Sequence, residues 1–282
     1  MTTRSGKPIA CVVGWPVKHS RSPVIHRFWL NQLGIDGDYV LHPVEPEKIA
    51  AFFANFATSG FVGCNVTVPH KEAAFAAVAR RDAAATATGA LNTLWLEDGL
   101  LVGASTDPVG FLANLDGSAP GWDATAGPAV VLGAGGSARA IVWALLSRGF
   151  APVNVVNRDP ARPKALRRLF GDKVQPARWV DVPSLLAGAR VLVNTTTLGM
   201  DGQPPLKIDL APLPKDAVVN DIVYVPAVTG LMAAASARGL RVVGGLGMLL
   251  HQAVPGFEHW FGVRPTVTPE LRAAVQKSIA EG

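Results

Sequence analysis

Residues 129–147 read AVVLGAGGSARAIVWALLS: an apolar run, glycines at 133, 135 and 136, then apolar residues at helical spacing. A chain that turns this tightly from a buried strand into a helix is committed to strand–helix–strand folding. Such alternation builds a mainly parallel sheet covered on both faces. The pattern recurs on either side. Ile9–Gly14, Tyr39–Val44 and Phe61–Val68 are strand candidates, separated by helical patterns in SPVIHRFWLNQLG and PEKIAAFFANFATSG, and Lys71–Arg81 is expected to be helical. Leu91–Leu96 and Leu100–Ala104 suit a hairpin around Glu97-Asp98-Gly99. DGSAPGWDATAGP (116–128), rich in Gly, Pro, Asp and Ala, reads as a linker or loop before a second unit. Beyond it come the VNVVN strand, the ARPKALRRLF helix, and strands at Arg190–Asn194, Ala217–Ile222 and Leu240–Val243. GLGMLLHQAVPGFEHWFG and TPELRAAVQKSIAEG read as two amphipathic helices, with Pro255 ending or kinking the first. The expected class is α/β with two domains.

At 49% hydrophobic and 17% charged residues, the 282-residue chain is neither disordered nor a coiled coil. Its net charge of +5 is scattered, with one cluster in RDPARPKALRR (158–168). That argues for a small anionic substrate or a cofactor phosphate, and against a nucleic-acid face. The two cysteines, Cys11 and Cys64, lie in apolar runs and read as buried strand thiols rather than a disulfide or metal pair; no HExxH or zinc spacing occurs. MTTRSGKPIA has no apolar core of a signal sequence, and no apolar stretch approaches the roughly 20 residues of a membrane span. A soluble protein of a reducing, cytoplasmic compartment is the expectation.

The turn after AVVL carries Gly133-Ala134-Gly135-Gly136-Ser137-Ala138, a G-x-G-x-x-A match in the strand-to-helix setting that a dinucleotide fingerprint requires. Gly133 permits the turn, Gly135 lets a pyrophosphate approach, and the helix start offers N–H groups and partial positive charge. The next strand ends at Asn157, followed by Arg158, Arg162 and Lys164. An acidic residue there would accept from a ribose hydroxyl, whereas guanidinium groups bind a 2′-phosphate. NADP is therefore favoured; Asp159, if turned inward, would favour NAD.

GWPVKHSRSPVIH (14–26) places Ser20 and Ser22 before Pro23, the expected first helical residue. Ser22 is either a helix cap or, with Ser20, a hydroxyl donor to a polyol or carboxylate. Asn65, Thr67, Asn92 and Asp107 stand near the ends of apolar strands, where open α/β sheets bind ligands. In NVTVPHKEA, Pro69 stops the strand and Lys71 opens the next helix. An ordinary lysine titrates near ~10.4, so at neutral pH it can give a proton to a carbonyl oxygen as hydride reaches the carbon. Asp107 would hold the ammonium in place; the alternative is a surface lysine on an exposed helix.

Taken in order, GWPVKHSRSPVIH, NVTVPHKEA, GALNTL, TDPVG, LGAGGSARA, NRD, NTTTLGM, DIVYVPAVT and GLGMLLHQA resemble the successive blocks of the shikimate dehydrogenase family over essentially the whole chain. That family reduces 3-dehydroshikimate to shikimate with NADPH in the pathway to aromatic amino acids. The resemblance implies a substrate-binding and catalytic domain over 1–107, completed by 250–282, and an NADP-binding Rossmann-like domain over 108–249. It implies that Ser20 and Ser22 bind the substrate carboxylate, with Tyr224 nearby, and that Asn65, Thr67, Asn92, Asp107 and Gln252 surround the ring hydroxyls. By the same resemblance Lys71 and Asp107 would form the catalytic pair. Gly133, Ala134, Gly135, Gly136, Ser137, Asn157, Arg158 and Arg162 would hold NADP, while Thr195, Ile222, Gly245 and Met248 would line the nicotinamide side. A monomer or homodimer with a small-molecule substrate, and no nucleic-acid or membrane partner, follows. Three positions depart from the family pattern: Ser105 for the usual Asn, Pro108 for a small residue, and Asp159 for the Thr of N-R-T. The rival readings are a quinate/shikimate dehydrogenase using NAD or both cofactors, and a non-catalytic nicotinamide-binding sensor.

Overall fold

The computed structural model describes residues 6–281. They form two compact units, one made of the chain up to Thr106 with the chain from Gln252 onward, the other of Asp107–His251.

In the first unit the strands are β1 (Ile9–Gly14), β2 (Asp38–Pro43), β3 (Gly63–Val66), β4 (Arg80–Arg81), β5 (Thr93–Glu97) and β6 (Leu100–Ala104), in the order β2-β1-β3-β5-β6-β4. Pairings β1–β2, β1–β3 and β4–β6 are parallel; β5 alone of the described strands runs against its neighbours. The expected hairpin forms, with Asp98 (φ 52°) and Gly99 (φ 78°) as its two-residue loop, the chemistry that the right-handed twist of the strands favours.

Two helical expectations are corrected. Helix Lys71–Ala77 stops early, and Arg80–Arg81 pairs instead with β6 at the sheet edge. The unpaired groups of β6 outweigh the alanine-rich helix pattern there, with the Ala79 N–H also donating to the Leu101 carbonyl at 2.8 Å. The 46–60 pattern breaks into a 3-10 turn at Pro46–Lys48, a helix at Ile49–Ala54 and a second 3-10 turn at Phe56–Thr58. Side chains compete with the helix ladder: Asn55 Nδ2 donates to the Ala51 carbonyl (2.9 Å) and Ser59 Oγ to that of Phe56 (2.7 Å).

Helices Ser22–Gln32, Ala253–Phe261 and Pro269–Ala280 complete this unit. The break in the 246–261 pattern falls at Gln252, so Pro255 sits in the first turn of the second helix, where its missing donor is harmless. Trp260 Nε1 donates to the Leu94 carbonyl at 2.8 Å, and Trp29 Nε1 to that of Thr266 at 2.9 Å. Gly63 is required under Trp260, because a Cβ would overlap the indole.

His26 lies fully buried among these rings, stacked on Tyr39 at 4.0 Å and near Phe257 and Trp260. Neither ring nitrogen makes a well-formed hydrogen bond among the described residues, and burial pushes its pKa down from 6.5 to about 3, an effect that the nearby Asn65 side chain only partly offsets. The unfolded chain thus takes up the proton more readily. Stability from this site is whole above about pH 6.5 and is lost as pH falls toward 3. The loss is on the order of 4–5 kcal/mol at the acid limit, at ~1.4 kcal/mol per pH unit. His26→Phe should keep much of the stability at pH 7 and flatten the acid decline in urea unfolding; an unchanged decline would contradict this.

The second unit holds β7 (Ala129–Leu132), β8 (Val153–Val156), β9 (Val174–Ala177), β10 (Val191–Asn194), β11 (Val218–Asp221) and β12 (Arg241–Gly244) in the order β12-β11-β10-β7-β8-β9, with every described pairing parallel. Alternate residues feed cores on opposite faces: Val131, Val155 and Val193 enter one, Val130, Val156 and Leu192 the other. Of the two readings of 116–128, a linker or a loop, the loop holds: after the helix end at Ser118 the chain forms a packed turn within the second unit. Trp122 is buried and stacks on Phe150 at 5.2 Å. Its Nε1 donates to Asp116 (2.8 Å), and Arg148 bridges Asp116 and Asp123, both at 2.6 Å. Strand β9 was not evident in the sequence: Pro176 interrupts it, and a strand containing proline survives only at a sheet edge. No helix among the described residues is long and apolar enough to cross a membrane.

Candidate active site

In the first unit the strand ends carry a connected polar network. Tyr39, whose phenol is kept well above its ordinary pKa by burial, donates to Asn65 Oδ1 at 2.7 Å. The amide is thereby oriented, and Asn65 Nδ2 donates to the Asn92 carbonyl and to Thr93 Oγ1, both at 3.1 Å. Asn92 Oδ1 accepts from the Thr106 N–H (2.7 Å) and Thr106 Oγ1 (3.1 Å), and its Nδ2 donates to Gln252 Oε1 (3.1 Å). Asn65, Asn92 and Gln252 are thus joined through residues 160 apart in sequence.

Ser22 does not cap its helix. The helix begins at Ser22 itself, Arg21 occupies the cap position without a capping side-chain bond, and Ser20 Oγ lies 3.2 Å from Ser22 Oγ. Thr67 lies against β1, its N–H donating to the Val13 carbonyl at 2.9 Å; a Cβ at Gly14 would collide with the Thr67 methyl.

Lys71, half-buried, is the first residue of its helix. The turn before it is anchored by buried His70, with Nε2 2.7 Å from the Val44 carbonyl. Its own carbonyl accepts from the Leu91 N–H at 3.4 Å, next to Asn92. The altered S-T-D segment is pinned by its backbone: Ser105 N–H donates to Asp82 (3.2 Å), a carboxyl raised by burial, and Thr106 N–H to Asn92. Asp107 opens helix Asp107–Ser118 and belongs to the second unit, so Lys71 and Asp107 lie in different units. Pro108 occupies that helix's first turn, where a fixed φ and a missing donor suit the backbone.

In the second unit Gly133 (φ 101°) donates its N–H to the Val156 carbonyl at 2.8 Å. A Cβ there would lie 2.5 Å from Thr195 Oγ1, and Thr195 in turn donates its N–H and hydroxyl to the Leu132 carbonyl at 2.8 and 2.7 Å. Helix Gly136–Ser147, which carries Ser137, starts from Gly135 without a side-chain cap; a Cβ on Gly135 or Gly136 would meet nothing within 4 Å. Open space over uncapped N–H groups fits a bound pyrophosphate. Ala134, Ile222 and Met248 pack against one core, and a Cβ on Gly245 would overlap the Ile222 carbonyl.

After β8, Asn157 Nδ2 donates to the Asp159 carbonyl (3.0 Å). Asp159 faces its own helix: Oδ1 accepts from the Ala161 N–H at 2.9 Å, and Oδ2 lies 3.7 Å from Arg162 Nε. Its carboxylate is engaged at the helix start, which removes the objection it raised to a 2′-phosphate. Arg158 is exposed.

Asp221 is the residue that sequence reasoning missed. Buried at the end of β11, it accepts from Asn194 Nδ2 (3.0 Å), the Val223 N–H (3.1 Å) and Thr229 Oγ1 (2.7 Å), with its pKa raised by burial. It closes the segment 223–229 that carries Tyr224 and ties it to the loop after β10. An acid ending the apolar run AVVND was the available signal. Asp221→Ala orphans three donors and should cost about 3–5 kcal/mol; a melting temperature within 2–3 °C of wild type, about 1 kcal/mol or less, would contradict it.

Residues 12–94 match the shikimate dehydrogenase substrate binding domain, 122–199 the shikimate / quinate 5-dehydrogenase model, and 245–275 the shikimate 5′-dehydrogenase C-terminal domain. A shikimate dehydrogenase (NADP(+)) of Rhodopseudomonas palustris is 57% identical over 97% of this chain and 98% of its own. The structure of Thermus thermophilus shikimate 5-dehydrogenase in complex with NADP(H) and shikimate aligns at TM-score 0.84 and 34% identity, over 96% of this chain and 99% of that one. Quinate dehydrogenase from Corynebacterium glutamicum in complex with NAD aligns at 0.86 and 27%, over 96% and 99%.

Proposed function

The chain belongs to the shikimate dehydrogenase family, and on that premise we propose that it interconverts 3-dehydroshikimate and shikimate with NADP. The observation that carries this reading is the cofactor end of the second unit: an uncapped glycine turn over open space, followed by an exposed Arg158 and an Asp159 held against its own helix. When bound, the nicotinamide cofactor supplies or accepts hydride. The Lys71 ammonium gives a proton to the ketone oxygen during reduction and recovers it in the reverse direction. Asp107 orients that ammonium. Asn65, Thr67, Asn92 and Gln252 hold the ring hydroxyls, and the Tyr39 and Thr106 contacts keep the amides aimed. Ser20, Ser22 and Tyr224 take the carboxylate. Gly133 to Ser137, with Asn157, Arg158 and Arg162, hold the phosphates, while Thr195, Ile222, Gly245 and Met248 border the nicotinamide.

The enzyme acts in aromatic amino acid biosynthesis in a reducing cytoplasm, as a monomer or homodimer. Titration of the apoprotein with NADPH and NADH tests the cofactor assignment. Tighter binding of NADPH is expected, and equal affinities would oppose it. The rival that uses NAD or both cofactors draws on the quinate dehydrogenase likeness and predicts tighter NADH or equal affinities.

A further inference from the structure

The second unit carries a groove of about 470 Å³ lined by Arg158, Trp179, Leu198 and Pro204 to Lys207. Two exposed cations, Arg158 and Lys207, thus line one largely apolar groove from different loops. Arg162, the other basic residue assigned to the phosphate, has its guanidinium drawn 3.7 Å from Asp159. Its charge is shared with a carboxylate that also serves the helix start.

Resting on the NADP reading above, we infer that Lys207 is a specificity-determining residue that joins Arg158 in binding the 2′-phosphate. A dianionic phosphate on an adenosine lying in this groove is then met by two cations from different loops. Arg158 offers a planar fork and Lys207 a point charge. Asp159 offsets part of the Arg162 charge, which leaves room for a second cation from the loop that carries Lys207. A nucleotide without the 2′-phosphate has nothing for Lys207 to bind, so the effect of this residue falls on discrimination rather than on general affinity. The sequence could not have shown it, because Lys207 stands 49 positions after Arg158 in a proline-rich loop without periodic pattern.

The test is calorimetric titration of the apoprotein with 2′,5′-ADP and with 5′-AMP, which differ only in the 2′-phosphate. The wild type should bind 2′,5′-ADP at least tenfold tighter, and Arg158→Ala should abolish most of that margin. Lys207→Gln should weaken 2′,5′-ADP about five- to tenfold, within the range for charge-assisted bonds at an exposed site, and change 5′-AMP less than twofold. Lys207→Arg should restore the margin. Lys207→Gln that keeps the full margin overturns the assignment of Lys207 while leaving the NADP reading intact. A wild type that does not distinguish the two nucleotides overturns both.

Discussion

Lys71→Ala is expected to lower turnover of shikimate by about 10³-fold, within the range for a positioned proton donor, while substrate affinity falls less than tenfold. The substitution spares the fold. Alanine is the best helix former for the first position of helix Lys71–Ala77, and the bond from the Leu91 N–H is made to the backbone carbonyl. His70, bound to the Val44 carbonyl, still fixes the preceding turn. What is lost is the group proposed to carry the proton between solvent and the oxygen at the reacting carbon. A variant with near-wild-type turnover would show that the proton comes from elsewhere. A variant that loses only affinity would make Lys71 a binding residue.

Gly133→Ala should remove cofactor binding, with NADPH affinity reduced about 100-fold or more and stability lowered by about 2–4 kcal/mol. Two costs coincide. The φ of 101° is a conformation that L-residues rarely adopt, at about 1–2 kcal/mol for a residue with a Cβ. The new methyl also lies 2.5 Å from Thr195 Oγ1 and 3.2 Å from the Thr195 carbonyl carbon, a crowding that typically costs about 1–3 kcal/mol. Relief requires moving either the turn or the loop after β10. Each borders the space assigned to the pyrophosphate and nicotinamide. Thermal unfolding and NADPH titration together check this; affinity within twofold of wild type would mean that the turn is not the phosphate site.

The second sheet was largely legible in the sequence because its central strands are buried on both faces and so appear as unbroken apolar runs. Strand β9 lacked that signature, since Val-Gln-Pro-Ala at an edge needs neither an apolar run nor alternation. Strand β4 was hidden in an alanine-rich helical pattern, overridden by pairing with β6. The stretch 116–128 stayed open between linker and loop because glycine, proline and aspartate are common to linkers and to compact turns. Only the burial of Trp122 separates the two. Candidate site residues at strand ends could be picked out individually, but not the bonds that join them. Asn92 to Gln252 spans 160 positions and Tyr39 to Asn65 spans 26, and no local period encodes such pairings. Asp221 escaped for the same reason: its partners Asn194 and Thr229 come from different loops.

The most direct measurement is the initial rate of the purified enzyme with shikimate or quinate, each against NADP and NAD at equal concentrations. Fast turnover of shikimate with NADP, exceeding each of the other three combinations by at least tenfold, is the expected result. Quinate oxidised with NAD as fast as shikimate with NADP, or nucleotide binding without turnover of either acid, would contradict the account.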